Sequence, residues 1–384
     1  MLDAAALAGL IGAYSSDPCQ PIAIAVSGGS DSTALMYLLA DWADQNPRKL
    51  HILSVDHRLR DEAQGEAATV GKRAAELGLS HDILVWDRPR PGQAAARDGR
   101  HRLLAQAARA AGAKVLLLGH TLDDVIETVL MRKRHSAPRD RLAGPSLTAP
   151  SPVWPQGRGV TLIRPLLHLR RAGLRTWLQR RGIDWVDDPS NAQTVYERVR
   201  VRQFLARHPA LAEIMLPITL GLMARRQSGD AALGKALSDV SVDASGLMSC
   251  ELESLDTALA QRVLAVVIRI AGGHDRPPRR EAVADLLNAA IRVGERRTLA
   301  GAWLQKTRSG FLIGRDPGEA GGLGVDGLWD RRYQHVDTPT LPDEMPFLLR
   351  ASQPPDARWT PIMAERITHE VGAYQTPRAR PVQR

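Results

Sequence analysis

The sequence predicts an α/β fold with a doubly wound parallel sheet, followed by a mostly helical domain and a small C-terminal region that contains strands. Three observations lead to this prediction. Strand and helix patterns alternate through the first half of the chain. Polar clusters stand where the strands end, which is where such sheets bind ligands. The chain has 384 residues, 44% of them hydrophobic, which is enough for two or three domains.

The first strand leads directly into a turn rich in glycine and hydroxyl groups. Residues 22–26 are apolar, and Leu35, Leu38 and Leu39 repeat at helical spacing. Between them stands Ser-Gly-Gly-Ser-Asp-Ser, residues 27–32. Adjacent glycines let a ligand approach the main chain, and a helix N-terminus attracts anions. We expect an anion-binding loop here, and a tight strand-to-helix turn is the alternative.

The next elements continue the alternation. Strands are predicted at 49–57, 80–86 and 114–120, and helices at 66–79, 100–113 and 123–132. Polar clusters therefore fall at three strand ends, in residues 27–32, 56–60 and 120–124. Because the carboxyl ends of parallel strands meet at one edge of a sheet, these clusters predict a single active site.

The composition of the chain changes after residue 131. Residues 132–158 show no clear hydrophobic period, which predicts a mobile loop or lid. Order resumes at 161–167, and a basic helix follows at 170–182. We expect helices over about 195–295 with breaks at Pro209, Pro217 and 272–278, and from Thr298 a hairpin that turns at 309–310. We expect domains at 1–207, 208–297 and 298–384, the last ending in a flexible proline-rich tail from Pro339.

Positive charge is concentrated in two segments. The formal net charge is +9, and residues 158–207 hold eleven arginines against four acids, a net of +7. Residues 131–141 carry a further net of +4. Clustered basic residues favour a polyanion such as nucleic acid. The alternative is that an arginine-rich composition runs through the whole chain.

Cysteine usage and hydropathy indicate the cell compartment. Cys19 and Cys250 stand far apart and form no Cys-x-x-Cys motif, which favours a reducing compartment without a cysteine metal site. No apolar run reaches the length of a membrane span, and residues 1–10 lack the basic start of a secretory signal. We therefore expect a cytoplasmic protein with no membrane partner.

The glycine-rich loop resembles a known phosphate-binding motif. It is not a Walker A loop, because the Gly-Lys-Ser/Thr ending is missing. It resembles the PP-loop of the N-type ATP pyrophosphatases at Ser27, Gly28, Gly29, Asp31 and Ser32. The resemblance implies a PP-loop ATPase fold that binds ATP through residues 27–32, Ser30 included. It also implies Mg²⁺ as a cofactor held with the help of Asp31.

Five further motifs, in order over about residues 20–205, resemble those of the tRNA(Ile)-lysidine synthetases. They are DHRLR (56–60), AARDGRHRLL (95–104, with His101 in place of an aromatic residue), LGHTLDDVIET (118–128), IRPLL (163–167) and WVDDPSN (185–191). The resemblance implies an ATP-dependent ligase that acts on isoleucine tRNA with a CAU anticodon. ATP adenylates the C2 oxygen of the wobble cytidine, pyrophosphate leaves, and lysine then attacks C2 and displaces AMP to give lysidine.

Within these motifs two carboxylates are candidates for binding lysine. Asp124 and Glu127 lie three residues apart and share one helix face, where they can hold an ammonium or activate an amine. The alternative is an acid-rich first helical turn. Arg97 and Arg100 are candidates for stabilising charge on the adenylate, or else they lie on a solvated helix face. Catalytic roles are expected for Asp31, Arg97, Asp124 and Glu127, and ATP contacts also for Asp56, His57 and His120, the last being alternatively a helix cap.

Basic residues further along the chain are candidates for tRNA binding. They are Arg171, Arg175, Arg180, Arg198, Arg200 and Arg202. We expect the first three to lie away from the strand ends that face the nucleotide. Two departures from the family pattern stand nearby, since His135 and Ala137 replace the glycines of a Gly-Ser-Gly stretch and Val199 replaces an asparagine.

Two other functions stay open at this point. One is another PP-loop enzyme, such as a tRNA thiolase or an amidotransferase-type synthetase, although both cysteines lie outside every motif. The other is a non-catalytic tRNA-binding paralogue. The sequence also leaves open the oligomeric state, for which a homodimer is one candidate, and the role of the C-terminal region.

Overall fold

A computed structural model of the chain describes residues 4–56, 58, 62–86, 93–136, 142–186, 195–243, 245–319, 321, 328–335 and 359–375. The chain packs into two compact units. The first contains the described residues up to Ser151 and those from Val160 to Ser228. The second contains Pro152–Gly159 and Gly229–Gln375.

Strands and helices alternate in the first unit, as predicted. The strands are β1 (Ile22–Ala25), β2 (Leu50–Asp56), β3 (Ser80–Val85), β4 (Val115–Leu118), β5 (Thr148–Pro150) and β6 (Thr161–Ile163). The helices are α1 (Ala4–Gly12), α2 (Ser30–Ala43), α3 (Glu62–Glu76), α4 (Gln93–Ala110), α5 (Leu122–Arg134), α6 (Arg171–Arg180) and α7 (Glu197–Arg207). Helix α8 (Pro209–Ser238) belongs partly to each unit.

The six strands form one sheet in the order β3-β2-β1-β4-β6-β5. All neighbours pair in parallel except β5, which runs antiparallel to β6. The order reverses at β1, so the ends of β1 and β4 flank a switch point of the sheet. Ligands bind at such points in open α/β sheets.

Alternate residues of the central strands supply two separate cores. Ile22 and Ile24 of β1 pack on the face that carries α1, α2 and α6. Ala23, between them, packs with Leu104 and Ala108 of α4 on the opposite face. Helices therefore cover both faces, which confirms the doubly wound prediction.

The second unit contains two antiparallel sheets. The larger, in the order β7-β8-β11-β10-β9, consists of Ser241–Val242 (β7), Met248–Glu251 (β8), Arg296–Leu299 (β9), Ala302–Lys306 (β10) and Gly310–Arg315 (β11). The smaller consists of Leu328–Trp329 (β12), Tyr333–His335 (β13) and Trp359–Pro361 (β14). The helices are α9 (Thr257–Ala271), α10 (Arg280–Asn288) and α11 (Met363–Tyr374), with a short 3₁₀ turn at Pro317–Glu319.

Several expectations for the region after residue 132 need correction. Pro217 does not break α8, because Ala212, Met215 and Thr219 form a buried stripe on both sides of it. Tertiary packing of that stripe outweighs the missing hydrogen bond. Strands β7 and β8 interrupt the region expected to be helical, and their two- and four-residue lengths leave little period to read.

Ordered elements also occur where a loop and a tail were expected. Strand β5 lies inside the expected loop 132–158. In the expected tail, β14 and α11 are formed, and Met363 and Ile367 of α11 belong to the core of the second unit. The domain bounds 1–207, 208–297 and 298–384 remain a prediction. None of the described helices combines the length and the hydrophobicity that a membrane span requires.

The loop that follows β4 lies directly against the first turn of α2. A Cβ added to Gly119 would lie 3.0 Å from both the backbone nitrogen and the Cα of Ser32. Such a distance is too short for an ordinary carbon contact, so only glycine lets the loop and the helix approach this closely. The candidate phosphate loop is thus supported from the neighbouring strand end.

We expect Gly119→Ala to cost about 1–3 kcal/mol of unfolding free energy, because the added methyl group meets backbone that cannot rotate away. The same displacement of residues 31–32 should weaken nucleotide binding. Gly221→Ala in α8 is the control, since a Cβ there meets nothing within 4 Å. Urea unfolding and ATP titration of both variants test this, and a Gly119→Ala protein as stable as Gly221→Ala would contradict it.

Candidate functional site

Residues 27–32 run from the end of β1 through a short loop into the first turn of α2. Gly28 has a φ of +84°, which a residue with a side chain adopts only with strain. The Ser32 hydroxyl accepts from the Ser27 backbone nitrogen at 3.1 Å and donates to the Gly29 carbonyl at 3.1 Å. The Thr33 hydroxyl donates to the Gly28 carbonyl at 3.0 Å. These bonds fix the loop ahead of the N-terminus of α2, where free N–H groups attract anions.

Helix α5 begins after β4 with a capping box that uses a candidate site residue. The backbone nitrogen and the hydroxyl of Thr121 donate to Asp124 Oδ2, at 2.8 and 2.9 Å. This capping role occupies one of the two carboxylate oxygens of Asp124. Asp124 Oδ1 instead faces a guanidinium, so the carboxylate serves both the helix cap and the site.

The Arg171 guanidinium joins three candidate carboxylates. Its Nε donates to Asp31 Oδ2 at 2.7 Å, its Nη1 to Glu127 Oε1 at 3.1 Å and its Nη2 to Asp124 Oδ1 at 3.2 Å. The Arg171 backbone nitrogen also donates to Asp123 Oδ2 at 2.7 Å. The first residue of α6 thus connects the loop after β1 with the first turns of α5.

Two more arginines reach the same carboxylates from α7. Arg202 Nε donates to Glu127 Oε1 at 2.9 Å, and Arg198 Nε lies 3.1 Å from Glu127 Oε2. Glu127 is only 1% exposed. Three carboxylates therefore face three guanidinium groups, and we refer to Asp31, Asp124, Glu127, Arg171, Arg198 and Arg202 as the Arg171 cluster.

Burial and charge act in opposite directions on the pKa values in this cluster. Burial raises the pKa of Asp31, and Arg171 only partly offsets this. Burial raises the pKa of Asp124, but the Arg171 guanidinium and the Thr121 hydrogen bond outweigh burial, so the pKa falls below its usual value. Burial lowers the pKa of Arg171, but the carboxylates of Asp124, Asp31 and Glu127 raise it by more. The net pKa lies above the usual value, so this guanidinium stays charged.

A second group of basic side chains lies beside the cluster. Arg97, Arg100 and His101 share one face of α4, while Arg164 follows β6 and His120 follows β4. Burial, followed by repulsion from neighbouring arginines, lowers the pKa of Arg164 to about 9 and those of His101 and His120 to about 3. Both imidazoles are therefore neutral near pH 7.

This second group is short of acceptors. Among the described residues, neither Arg97, Arg100 nor Arg164 forms an ion pair with a carboxylate. Arg164 donates through Nη1 to the Ser146 carbonyl at 2.8 Å. Its Nε and the Nδ1 of His120 are buried without a hydrogen-bond partner in the described part of the chain. An anion is the ligand that such a region favours.

The structure describes only some of the remaining residues that are expected to contact the nucleotide. Asp56 ends β2, is buried, and accepts from the Arg58 backbone nitrogen at 2.8 Å. His57 and residues 187–194, which include Asp188 to Asn191, lie outside the described residues. Ser30 donates to Asp31 Oδ1 at 3.1 Å and accepts from Arg175 Nε at 3.2 Å.

The expectation that Arg171 and Arg175 lie away from the nucleotide loop is wrong. Arg175 Nε donates to the Ser30 hydroxyl. The Arg171 side chain is 15% exposed and bound to Asp31, so it is not a free contact for tRNA phosphates. Arg198 and Arg202 likewise face Glu127, because residues four apart lie on one side of a helix. Arg200, between them, is exposed, as are Arg175 and Arg180.

The folded structure leaves less unpaired positive charge on the basic segment 158–207 than its sequence suggests. Arg170 pairs with Asp123 and Glu213, and Arg181 pairs with Asp41. Acids from outside the segment therefore neutralise much of its net +7 charge. Counting charges along the sequence overstated the surface available to a polyanion.

Arg164 is the site residue that the sequence analysis missed as a functional candidate. Arg164 stands inside the IRPLL motif and is only 5% exposed in the structure. The sequence shows its positive charge but not its burial, so it looks the same there as an arginine on the surface. The i, i+4 spacing of Arg198 and Arg202 already indicated that both side chains lie on one face of their helix, which is the face that contacts Glu127.

The two departures from the family pattern have local explanations. Ser136 keeps the position of the family's serine and has a φ of +52°, a conformation that favours glycine. His135 Nε2 lies 3.0 Å from Glu197, and Ala137 is outside the described residues. Val199 is buried in α7, so it supports packing where an asparagine would present an amide.

The described residues contain no group of three or more His, Cys, Asp or Glu side chains arranged to hold a metal ion. The three carboxylates of the Arg171 cluster surround a guanidinium instead. Mg²⁺ bound to a nucleotide needs only one or two protein carboxylates, and Asp31 at the loop is the candidate that fits this role.

Comparison with known proteins finds relatives along most of this chain. A model of the PP-loop domain family matches residues 7–209. The tRNA(Ile)-lysidine synthase of Hyphomonas neptunium is 38% identical over 296 residues, which cover 76% of this chain and 81% of that protein. That of Caulobacter vibrioides is 38% identical over 330 residues, covering 82% and 74%. That of Brucella melitensis biotype 2 is 43% identical over 261 residues, covering 65% and 57%.

The matched region holds the glycine-rich loop, the capping box of α5 and all six members of the Arg171 cluster. With a PP-loop domain over more than half of its length and relatives of one kind along most of it, the chain belongs to the tRNA(Ile)-lysidine synthase family.

Proposed function

We propose that this chain joins lysine to the wobble cytidine of isoleucine tRNA with a CAU anticodon, using ATP and forming lysidine. One observation carries the proposal. Buried Asp124 and Glu127 stand beside the phosphate loop of residues 27–32, linked to it through Arg171. The carboxylates proposed to hold lysine are therefore adjacent to the loop proposed to hold ATP, which supports a ligation reaction.

In the first step the C2 oxygen of cytidine attacks the α-phosphorus of ATP. The new O–P bond replaces the bond to the β-phosphate, and pyrophosphate leaves. Backbone N–H groups at the start of α2 and the hydroxyls of Ser27 and Ser32 are suited to hold the leaving group. Arg97 and Arg100 are suited to stabilise the charge on the remaining phosphate.

In the second step an amine of lysine attacks C2. The new C–N bond replaces the C–O bond, AMP leaves with its phosphate charge, and the amine loses a proton. Asp124 is ionised at neutral pH, since nearby cations lower its pKa. Asp124 and Glu127 are therefore suited to hold lysine, or to accept that proton directly or through water.

Mg²⁺ is part of the proposal, with Asp31 as its ligand. When bound, it would neutralise charge on the ATP phosphates. Burial raises the pKa of Asp31. A metal ion bound beside Asp31 would act in the opposite direction, because a nearby positive charge stabilises the carboxylate. A cytoplasmic location and a homodimer remain predictions from the sequence.

Thiolation is the less suitable alternative. Burial raises the pKa of the Cys250 thiol to about 12, so it does not supply a thiolate at neutral pH. Cys19 precedes β1 and is exposed, outside the described Arg171 cluster. Neither cysteine has a placement that supports sulfur transfer.

The direct test is mass spectrometry of nucleosides from isoleucine tRNA incubated with the protein, ATP and lysine. We expect lysidine, with pyrophosphate and AMP released in equal amounts. Omitting lysine should leave pyrophosphate release from the first turnover. Unmodified cytidine in every reaction would contradict the proposal, and thiolated product would favour the alternative.

We expect Glu127→Gln to raise the KM for lysine about 10- to 100-fold and that for ATP much less, because the change removes a charge opposite the ammonium but keeps the size. The control is Glu213→Gln, which breaks an exposed pair with Arg170. Steady-state kinetics with each substrate varied will test this. An altered ATP dependence with unchanged lysine dependence would assign Glu127 to the nucleotide instead.

The exposed arginines supply a prediction about tRNA. Replacing Arg180 and Arg200 together by Gln should weaken tRNA binding and reduce the log–log salt slope by about 0.7–0.9 for each phosphate that the variant no longer neutralises. Pyrophosphate release at saturating tRNA should persist, since both side chains are exposed. Arg109→Gln, an exposed arginine of α4, is the control. Equal slopes for all three proteins would show that Arg180 and Arg200 do not bind phosphates.

A further inference from the structure

Strand β2 carries a buried hydroxyl that holds the chain just beyond the end of β1. Ser54 is 2% exposed, and its hydroxyl donates to the Val26 carbonyl at 2.8 Å. The Val26 backbone nitrogen donates to the Leu53 carbonyl at 2.9 Å. Two successive residues of β2 therefore bind both polar backbone groups of Val26, which directly precedes Ser27 and the phosphate loop.

The Ser54 hydroxyl has a second partner in β3. His81 Nε2 lies 3.0 Å from Ser54 Oγ. A hydroxyl has one proton and a carbonyl only accepts, so the Ser54 proton is used at Val26 and His81 Nε2 donates to Ser54 Oγ. Burial lowers the pKa of His81, so the ring is neutral near pH 7 with its one proton on Nε2. The imidazole thus fixes the direction of the hydroxyl, and the hydroxyl fixes the carbonyl.

Helix α3 leaves room for this imidazole. A Cβ added to Gly71 would lie 2.8 Å from His81 Nδ1, which is closer than Cβ atoms approach other atoms in proteins. Glycine inside a helix is unfavourable compared with alanine. The space for the ring is a physical reason for glycine at this position, because a side chain there would displace the imidazole.

The hydrogen bonds continue from Val26 into the phosphate loop through one peptide group. The carbonyl of Val26 and the N–H of Ser27 belong to the same planar unit. Ser54 binds one side of this plane, and the Ser32 hydroxyl accepts from the other side at 3.1 Å. Rotation of the plane would therefore break both bonds, and the second of them holds the loop against the first turn of α2.

We propose that His81 is a positioning residue for the phosphate loop, acting through Ser54 on the peptide group between Val26 and Ser27. The inference rests on the proposed function in one respect, because it takes residues 27–32 to hold the phosphates of ATP. It gives His81 no contact with ATP. Loss of the imidazole weakens ATP binding because the loop is no longer held in one orientation.

The experiment measures ATP binding to the full chain by isothermal titration calorimetry. His81→Leu removes the donor and should raise the Kd for ATP about three- to tenfold, the effect of losing one hydrogen bond. His81→Gln should stay within about twofold of wild type, because its amide nitrogen can donate from the position of Nε2. The control is His51→Leu, which should match wild type. His51 lies on the opposite face of the sheet and binds Ser80 and Asp82.

A double variant tests the route through Ser54. Ser54→Ala alone should weaken ATP binding at least as much as His81→Leu does. Adding His81→Leu to Ser54→Ala should then change the Kd by less than about twofold, because coupled residues are not additive. Effects that multiply independently would overturn the inference, and so would a His81→Leu protein with the Kd of wild type. If His81→Leu does not fold, His81→Asn replaces it, since its shorter amide ends before the Nε2 position.

Kinetics supply a readout that general loss of stability does not imitate. His81→Leu should raise the KM for ATP more than that for lysine, because Asp124 and Glu127 are held by Arg171. An equal rise in both KM values would overturn the positioning role. Wild-type protein that binds ATP but forms no lysidine refutes the proposed function only, whereas lysidine formation with an unchanged Kd in His81→Leu refutes this inference only.

Discussion

One guanidinium determines how the strand ends of the first unit are arranged around the site. Arg171 binds Asp31 after β1 and the two carboxylates of α5 after β4, and it begins α6 on the far side of the IRPLL motif. Buried charges are stable only when paired, so removal of any member leaves another uncompensated. The loop, the first turns of α5 and the start of α6 therefore keep their positions together.

The same residues show that structural and functional explanations need not compete. Asp124 caps α5 through one oxygen and faces Arg171 through the other. Gly119 has no side chain because Ser32 lies against it, and that contact also supports the phosphate loop. Sequence reasoning treats a cap and a ligand as alternatives, but a carboxylate has two oxygens and can be both.

The predictions that succeeded came from local periodicity and from the ends of strands. Strands β1 to β4 and the helices between them follow the apolar pattern, and the polar clusters meet because parallel strands end at one edge. The placement of Arg171 was wrong because net charge along a segment does not reveal which acids return from elsewhere in the chain. Pro217 was misread because its neighbours are held by packing that a local pattern does not contain.

The last strand of the six-stranded sheet ends in a residue that cannot extend it. β5 lies at the edge of the strand order, is three residues long and finishes at Pro150, which has no backbone N–H to donate. Short edge strands with proline are poor templates for pairing with another chain. A segment that first looked like part of a loop thus protects a hydrophobic parallel sheet from joining a second copy edge to edge.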